Sequence, residues 1–474
     1  MAASPREGRT LAALGSAGCA AALALPISNP DVFWHLSAAR WMRENGAVPR
    51  ADWLSWTRAG SPWVDFEWGA QLVYGAAHRL AGAAGLWAVK TAALGAAAAA
   101  LDAVLSLHGV DAGWRGVAAL AWALAIAPGN DLRPENFSLA LLLLLWRVLE
   151  GRRLRRGPWR KDGAFAAALA CVFAAWANLH AGFALGLLLL AGYAFAGTAP
   201  AWALPLAAAA ACANPYGPRI FGVLAAHGRD AAALRGRLRE WSSPDFWSAW
   251  LAPVWALAAA CAAAELHRRR ARRPGRVPGL AAAAALLAAA GLRQARFLPY
   301  FACAGVPLAV LSGERLVGTR GRRAVAAALL AFAAFRVAPE LGRAARFDGT
   351  PREAADFLDR ERGALASLRM LNPWQWGGYL GWRLYPAYRV YWDGRYLFHG
   401  MLEPERLAKA DPASYARFLD EQGIGLVLLE NTGQVIMGRP AYEFFLPSPA
   451  WALIYRDARS LVLVRRAAAE GLRS

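Results

Sequence analysis

Of 474 residues, 57% are hydrophobic, 18% are charged and 22 are tryptophan, so a soluble globule would need a core far too large for its polar surface; the composition points to an integral membrane protein. The formal charge of +20 does not indicate a nucleic-acid partner, because the arginines stand in short clusters between apolar runs and form no continuous binding face. Cys19, Cys171, Cys212, Cys261 and Cys303 all lie in or beside apolar runs with no close pair and no metal-ligand spacing, which reads as small buried hydrophobes.

The first apolar run, 11–27, follows Arg6 and Arg9 and contains Ala22-Leu23-Ala24, an arrangement like a signal peptide. More runs follow, so it reads as a retained first helix. The others fall at 86–108, 114–129, 136–150, 163–179, 182–197, 200–213, 247–264, 279–292, 297–312 and 323–338, giving about eleven expected transmembrane helices. Several are alanine-rich and short for a bilayer, so their ends must extend into flanking residues. GRRLRRGPWRKD (151–162), HRRRARRPGR (267–276) and GERLVGTRGRR (313–323) are the strongest basic clusters, and the positive-inside rule places them, with the amino terminus, in the cytoplasm. Eleven spans put these three loops on one side without further adjustment. The segments 28–85, 130–136, 178–182, 214–246 and 292–296, and everything after about 340, are then expected outside.

The long first external loop carries Trp34, Trp41, Trp53, Trp56, Trp63 and Trp68, a density that favours the membrane interface. Within it HLSAARWMRENG reads as an amphipathic helix ended by Gly46, and WVDFEWGAQLVYGAAHRL as a second. From about 345 the alanine content falls. REAADFLDRER (352–362), RVYWDGRYL (389–397), IGLVLLEN (424–431), WALIYRD (451–457) and SLVLVRR (460–466) mix helical and strand periods, the pattern of a small α/β domain. The expected organisation is a transmembrane domain over 1–344, including the external loop 28–85, followed by an extracytoplasmic α/β domain over 345–474.

Nearly every polar residue too costly for mere solvation falls on the expected outer side: Asp31, His35, Asp65, Glu67, Arg133, Glu135, His180, Asn214, Glu240, Asp245, Arg293 and Arg296. The strings around them are NPDVFWHLSAARWM, PWVDFEW, RPENFSL, NLHAGF, NPYG, EWSSPDF and NPWQWGGYLGW…VYWDGR. Together with a first helix followed at once by an acid and a long loop of surface helices, they resemble the GT-C superfamily of integral-membrane glycosyltransferases, in a bacterial branch of the polyprenyl-phosphate-sugar-dependent type. The resemblance covers nearly the whole chain. It implies a hexosyl or pentosyl transferase of the inner membrane that takes a polyprenyl-phosphate sugar donor and an acceptor glycan, lipid or protein. In the GT-C pattern the acid just after the first helix is catalytic, and Asp31 occupies that position here.

Such transfer needs a base for the acceptor's proton, cations for the leaving phosphate and an apolar groove for the prenyl chain. Asp31 can be that base, or simply cap the helix beginning near Val32. Asp65 and Glu67 are further catalytic candidates, either orienting the acceptor or joining Asp31 around a divalent cation such as Mg or Mn; the alternative is a solvated loop acid and a first-turn glutamate. Arg133, Arg293 and Arg296 suit a phosphate because a guanidinium binds it bidentately and stays charged, although snorkelling to the interface would also place them there. His35 and His180 can contact acceptor or phosphate, or make structural hydrogen bonds. Glu240 and Asp245 can line an acceptor cavity and Glu135 is a further substrate-binding candidate, while Asn214 and Tyr216 belong first to an NPYG turn and second to a site. GGYLGW and Asp393-Gly394-Arg395 read as turns between strands. The competing classes are a flippase or transporter of lipid-linked saccharide, which would carry polar residues at mid-membrane depth, an O-antigen-ligase-like enzyme using a diphosphate-linked donor, and a structural scaffold for envelope assembly.

Overall fold

The computed structural model describes residues 5–155, 162–272, 275, 277, 279–314, 316–431 and 435–470. Parts of the three arginine clusters, at 156–161, 273–274, 276 and Arg315, lie outside the described residues. In chain order the helices are α1 (Pro5–Leu23), α2 (Val32–Asn45), α3 (Trp68–Leu107), α4 (Ala112–Ile126), α5 (Glu135–Arg155), α6 (Gly163–Leu179), α7 (Phe183–Phe195), α8 (Ala203–Ala211), α9 (Ile220–Leu234), α10 (Ala252–Arg270), α11 (Leu280–Arg293), α12 (Leu298–Gly313) and α13 (Thr319–Arg336). Then follow α14 (Arg352–Arg360), α15 (Arg362–Leu365), β1 (Arg369–Leu371), α16 (Trp374–Leu384), α17 (Leu402–Ala408), α18 (Pro412–Glu421), β2 (Ile424–Glu430), β3 (Val435–Ile436), β4 (Arg439–Pro440), β5 (Trp451–Arg456) and β6 (Ser460–Arg465). The chain divides into two compact units, 1–28 with 76–346 and 29–75 with 347–474.

The first unit is helical, and each of the eleven apolar runs coincides with one of its helices. Among the described residues three helical stretches, Trp68–Leu107, Ala249–Arg270 and Ala295–Gly313, are both long and apolar enough to cross a membrane, and Gly163–Leu179, Phe183–Phe195 and Leu280–Arg293 are apolar but shorter. Small residues let helices meet closely: a methyl group on Gly15 of α1 would collide with the backbone of Gly116 in α4, the small-to-small contact that lipid-embedded helices favour. Large apolar side chains such as Phe195 and Leu188 point outward, as they can where the surrounding medium is hydrocarbon. The same logic corrects the cysteine expectation. Cys19, Cys261 and Cys303 are buried, but Cys171 is exposed and Cys212 half-buried, because an apolar run need not face a core when its solvent is apolar.

The end of α1 is tied down from several directions. Asn130 Nδ2 donates to the Ala22 carbonyl at 2.6 Å, Trp87 Nε1 to that of Ala24 at 2.9 Å, and the buried Lys90 ammonium to that of Leu25. Ile27 forms a parallel bridge with Ala345, so the two points at which the chain leaves this unit, after Ser28 and after Arg346, lie side by side.

The second unit joins the first loop to the tail around a sheet ordered β1-β2-β6-β5, with β1 parallel to β2 and the other pairs antiparallel. β2 is buried along all but its last residue, as expected of a strand covered on both faces. REAADFLDRER, IGLVLLEN, WALIYRD and SLVLVRR become α14, β2, β5 and β6. GGYLGW is not a turn; it lies within α16, and its glycines serve close packing. Side chains on Gly377, Gly378 and Gly381 would strike the Trp392 backbone, the Trp34 backbone and the Leu54 side chain. The loop's aromatic residues are therefore spent on this unit: Phe33 packs edge-on against Tyr379 at 4.9 Å, Trp56 Nε1 donates to the Met370 carbonyl at 2.9 Å, and Trp63 is 2% exposed. Ser55 and Val390 add a backbone bridge.

Candidate active site

Within the second unit, Asp31 stands at the start of α2, which ends as expected at Gly46 in the left-handed conformation. Although Asp31 holds the N-cap position, its side chain makes no capping hydrogen bond. Its carboxylate lies instead against Gly394, with Trp34 Nε1 close to the same point. His35, one turn into the helix, is 3% exposed and sits between Trp34, at 3.6 Å between ring centroids, and Tyr74, at 5.8 Å. Trp34 and Trp63 pack at 6.5 Å, which brings the segment carrying Asp65 to the same neighbourhood.

Asp65 is 1% exposed just before α3. Its Oδ1 accepts from Gln71 Nε2 at 2.7 Å and from the Glu67 amide at 3.4 Å, whereas Oδ2 has no hydrogen-bond partner among the described residues. Burial pushes this carboxyl up to about 7, against the smaller opposing pull of these hydrogen bonds and the positive charge of Arg395. Glu67 is half-buried beside it and acts electrostatically on Tyr74. Among the described residues no group of three or more His, Cys, Asp or Glu could hold a metal ion. Asp31, Asp65 and Glu67, the cation set the sequence suggested, are therefore not gathered into such a group among the described residues, and Asp65 Oδ1 is taken up by Gln71.

Sequence reasoning missed the group that organises this neighbourhood. Asp393-Gly394-Arg395 is more than a turn: Arg395 Nε and Nη2 grip Asp393 at 2.9 and 2.8 Å, and Nη1 pairs with Asp52 at 2.8 Å. All three side chains are at most 1% exposed. The Arg395 guanidinium lies 4.8 Å from the Trp63 ring centroid, and Asp52 also accepts from the Leu54 and Ser55 amides. Asp393 and Arg395, held together by this triad, flank Gly394 and so fix the wall against Asp31. The only signal in the sequence was three charged residues among aromatics.

Within the first unit a second cluster forms around the start of α5. Arg133 Nη1 bonds Glu240, and the Arg296 guanidinium stacks on Trp241 at 4.3 Å, so one short turn, Arg239–Trp241, positions both cations. Both arginines act electrostatically on Glu135 and His180, and Tyr300 hydrogen-bonds Glu135. His180 Nδ1 accepts from the Gly182 amide at 3.0 Å and so carries no proton, which makes Ser138 Oγ, 2.7 Å away and itself accepting from Trp176 Nε1, the donor to the imidazole. The ring therefore carries its proton on Nε2. Burial first, then the charge of Arg296, pushes it down to about 3, so it is neutral.

The remaining candidates have local roles. Asn214 closes its own turn, accepting from the Tyr216 amide at 2.8 Å and donating to the Ala211 carbonyl at 2.7 Å, and Tyr216 is buried. Asp245 accepts from the Trp247 amide at 3.2 Å, and Arg293 is exposed in the last turn of α11. The five residues gathered here are thus Arg133, Glu135, His180, Glu240 and Arg296.

No protein-family model and no curated protein matches the sequence. Solved structures match the fold. The archaeal oligosaccharyltransferase AglB from Archaeoglobus fulgidus, solved with an inhibitory peptide and a dolichol-phosphate, aligns with a TM-score of 0.61 and 10% identity over 90% of this chain and 70% of its own. ArnT from Cupriavidus metallidurans, bound to undecaprenyl phosphate, aligns with a TM-score of 0.52 and 13% identity over 97% of this chain and 98% of its own. The chain has the fold of these proteins.

Proposed function

We propose that this protein is a membrane glycosyltransferase that moves a sugar from a polyprenyl-phosphate-linked donor to an acceptor on the outer side of the cytoplasmic membrane. The observation that carries this reading is the match to ArnT over nearly the full length of both chains, since that protein was solved with undecaprenyl phosphate bound. Asp31 is the general base: its carboxylate is not consumed by helix capping. It takes the proton of the acceptor nucleophile as that atom bonds to the anomeric carbon, and the bond from that carbon to the phosphate oxygen breaks. The electron pair leaves with the polyprenyl phosphate. Within the first unit, Arg133 and Arg296 offer the charge that a lipid phosphate binds. Asp65 and Glu67 orient the acceptor side, with His35 and Tyr74 behind them. The arginine clusters favour a cytoplasmic amino terminus, about eleven spans and an external second unit.

The test is incubation of the purified protein with polyprenyl-phosphate sugars and candidate acceptors, comparing wild type with Asp31→Asn. Transfer by the wild type and a loss of at least about a hundredfold in the variant are expected for a missing base. Equal turnover removes Asp31 from that role. Wild-type protein that transfers nothing, yet moves labelled lipid-linked saccharide across vesicles, supports the flippase alternative.

A further inference from the structure

The second unit contains a cavity of about 260 Å³ that none of the assigned residues uses. It opens at the carboxyl ends of β1 and β2, the parallel pair: Leu371 and Glu430, the last residues of the two strands, both line it. In open α/β sheets ligands settle in the crevice outside the carboxyl ends of parallel strands, because the loops there diverge and leave room.

Its walls have a definite chemistry. Trp374, half-buried in the first turn of α16, is braced at 72° against Trp392, at 5.4 Å, and at 89° against Phe398, at 6.4 Å, so it presents a fixed aromatic surface. The polar lining both donates and accepts: Gln375 Nε2 donates to Glu430 Oε2 at 3.1 Å, and Glu405 pairs with Lys409 one turn further along. Two carboxylates against one ammonium disfavour a phosphate or any other anion. The volume falls below the roughly 300–1,000 Å³ typical of pockets for drug-sized ligands, so it suits a single ring.

We propose that this cavity is a carbohydrate subsite holding one neutral pyranose residue, its C–H face on Trp374 and its hydroxyls on Gln375, Glu430 and Glu405. An aromatic plane beside convergent amide and carboxylate groups matches a sugar ring, apolar on one face and rich in hydroxyls at its edge. Taking the bound residue to be part of a glycan acceptor rests on the glycosyl-transfer reading; the binding chemistry does not.

Full-length protein in lipid nanodiscs is titrated with methyl glucoside, methyl galactoside, methyl mannoside, their β-linked disaccharides and methyl glucuronide, read by saturation-transfer NMR. At least one neutral pyranoside binds in the millimolar range, weakened about tenfold or more by Trp374→Ala and less by Trp374→Phe. Glu430→Gln, which preserves shape, also weakens it, methyl glucuronide binds less well than the glucoside, and Asp31→Asn binds as wild type does. A disaccharide that binds more tightly than its monomer identifies a glycan chain as the source; equal binding identifies a free sugar. Binding that no substitution at Trp374 or Glu430 alters, or no binding of any neutral pyranoside, overturns the proposal. Pyranoside binding without transfer from any donor would leave this subsite standing and remove the transferase reading, whereas transfer without pyranoside binding would do the reverse.

Discussion

The Asp31 carboxylate occupies space that exists only because residue 394 is glycine: a methyl group there would overlap Asp31 Oδ1, while only touching Trp34 Nε1. The backbone at 394 has no freedom to retreat, since Asp393 and Arg395 on either side are locked in a buried ion triad. Gly394→Ala must therefore move Asp31. Its φ is not in the left-handed region, so the effect is steric and not conformational. Turnover is expected to fall toward that of Asp31→Asn while the melting temperature shifts by only a few degrees. Wild-type turnover in Gly394→Ala would mean that the position of Asp31 is unimportant to the chemistry.

The Arg395 triad makes a sharper claim about stability. Two carboxylates share one guanidinium, all three almost fully buried. Arg395→Met removes the only cation of the set and leaves Asp52 and Asp393 with their hydrogen-bond donors alone, a loss of about 3–5 kcal/mol for a broken buried pair. Thermal unfolding in detergent should show a large drop, with a smaller one for Asp52→Asn. An unchanged melting temperature for Arg395→Met would show that the triad contributes nothing net.

Asp65 should make stability depend on pH. Its folded carboxyl is raised to about 7 from 3.8, so between those values the folded state holds a proton that the unfolded chain has released. Stability accordingly falls as pH rises through this window, by up to roughly 4 kcal/mol at 1.36 kcal/mol per unit, and the loss is complete above the folded value. Asp65→Asn should flatten that slope, raising the melting temperature at pH 8 while leaving it near wild type at pH 4. Parallel pH profiles for the two proteins would place the titrating group elsewhere.

Much of the architecture was readable from patterns with local causes. Apolar runs marked eleven helices of the first unit but not α9, which lies in a segment read as an outer loop; Gly46 stopped α2, and the strand-like apolar runs IGLVLLEN and SLVLVRR gave the central strands. What was not readable depends on partners distant in sequence. Six tryptophans in one loop fit a membrane interface or a protein core equally well by composition, and only the packing of Phe33 on Tyr379 and Trp56 on Met370 shows where they are used. GGYLGW looked like a turn because glycine usually marks one; here three glycines admit the backbone and side chains of distant segments into a helix face. Asp52 and Arg395 carry no shared motif. The basic cluster was more legible, because arginines at helix ends are costly to place without purpose, though its pairing through Glu240 and Trp241 was not.

That cluster supports a prediction about the donor. Arg133 is held by Glu240 and Arg296 by the face of Trp241, so both guanidinium groups are oriented before any ligand arrives. A lipid phosphate that binds them exchanges Glu240 for its own oxygens at Arg133, which makes the carboxylate a competitor. Arg133→Ala should raise the KM for a polyprenyl-phosphate sugar about tenfold to a hundredfold, the value of one or two charge-assisted hydrogen bonds, with little change in melting temperature because the side chain is about one-third exposed. Glu240→Gln should act in the opposite direction, lowering KM and making donor binding less sensitive to that competition. Arg296→Lys keeps the charge but loses the planar fork and much of the stacking on Trp241, so an intermediate rise in KM is expected. Steady-state kinetics with a short-chain polyprenyl-phosphate sugar distinguish these cases. If all three variants share the wild-type KM, the arginines anchor the protein at the membrane interface and do not bind the donor.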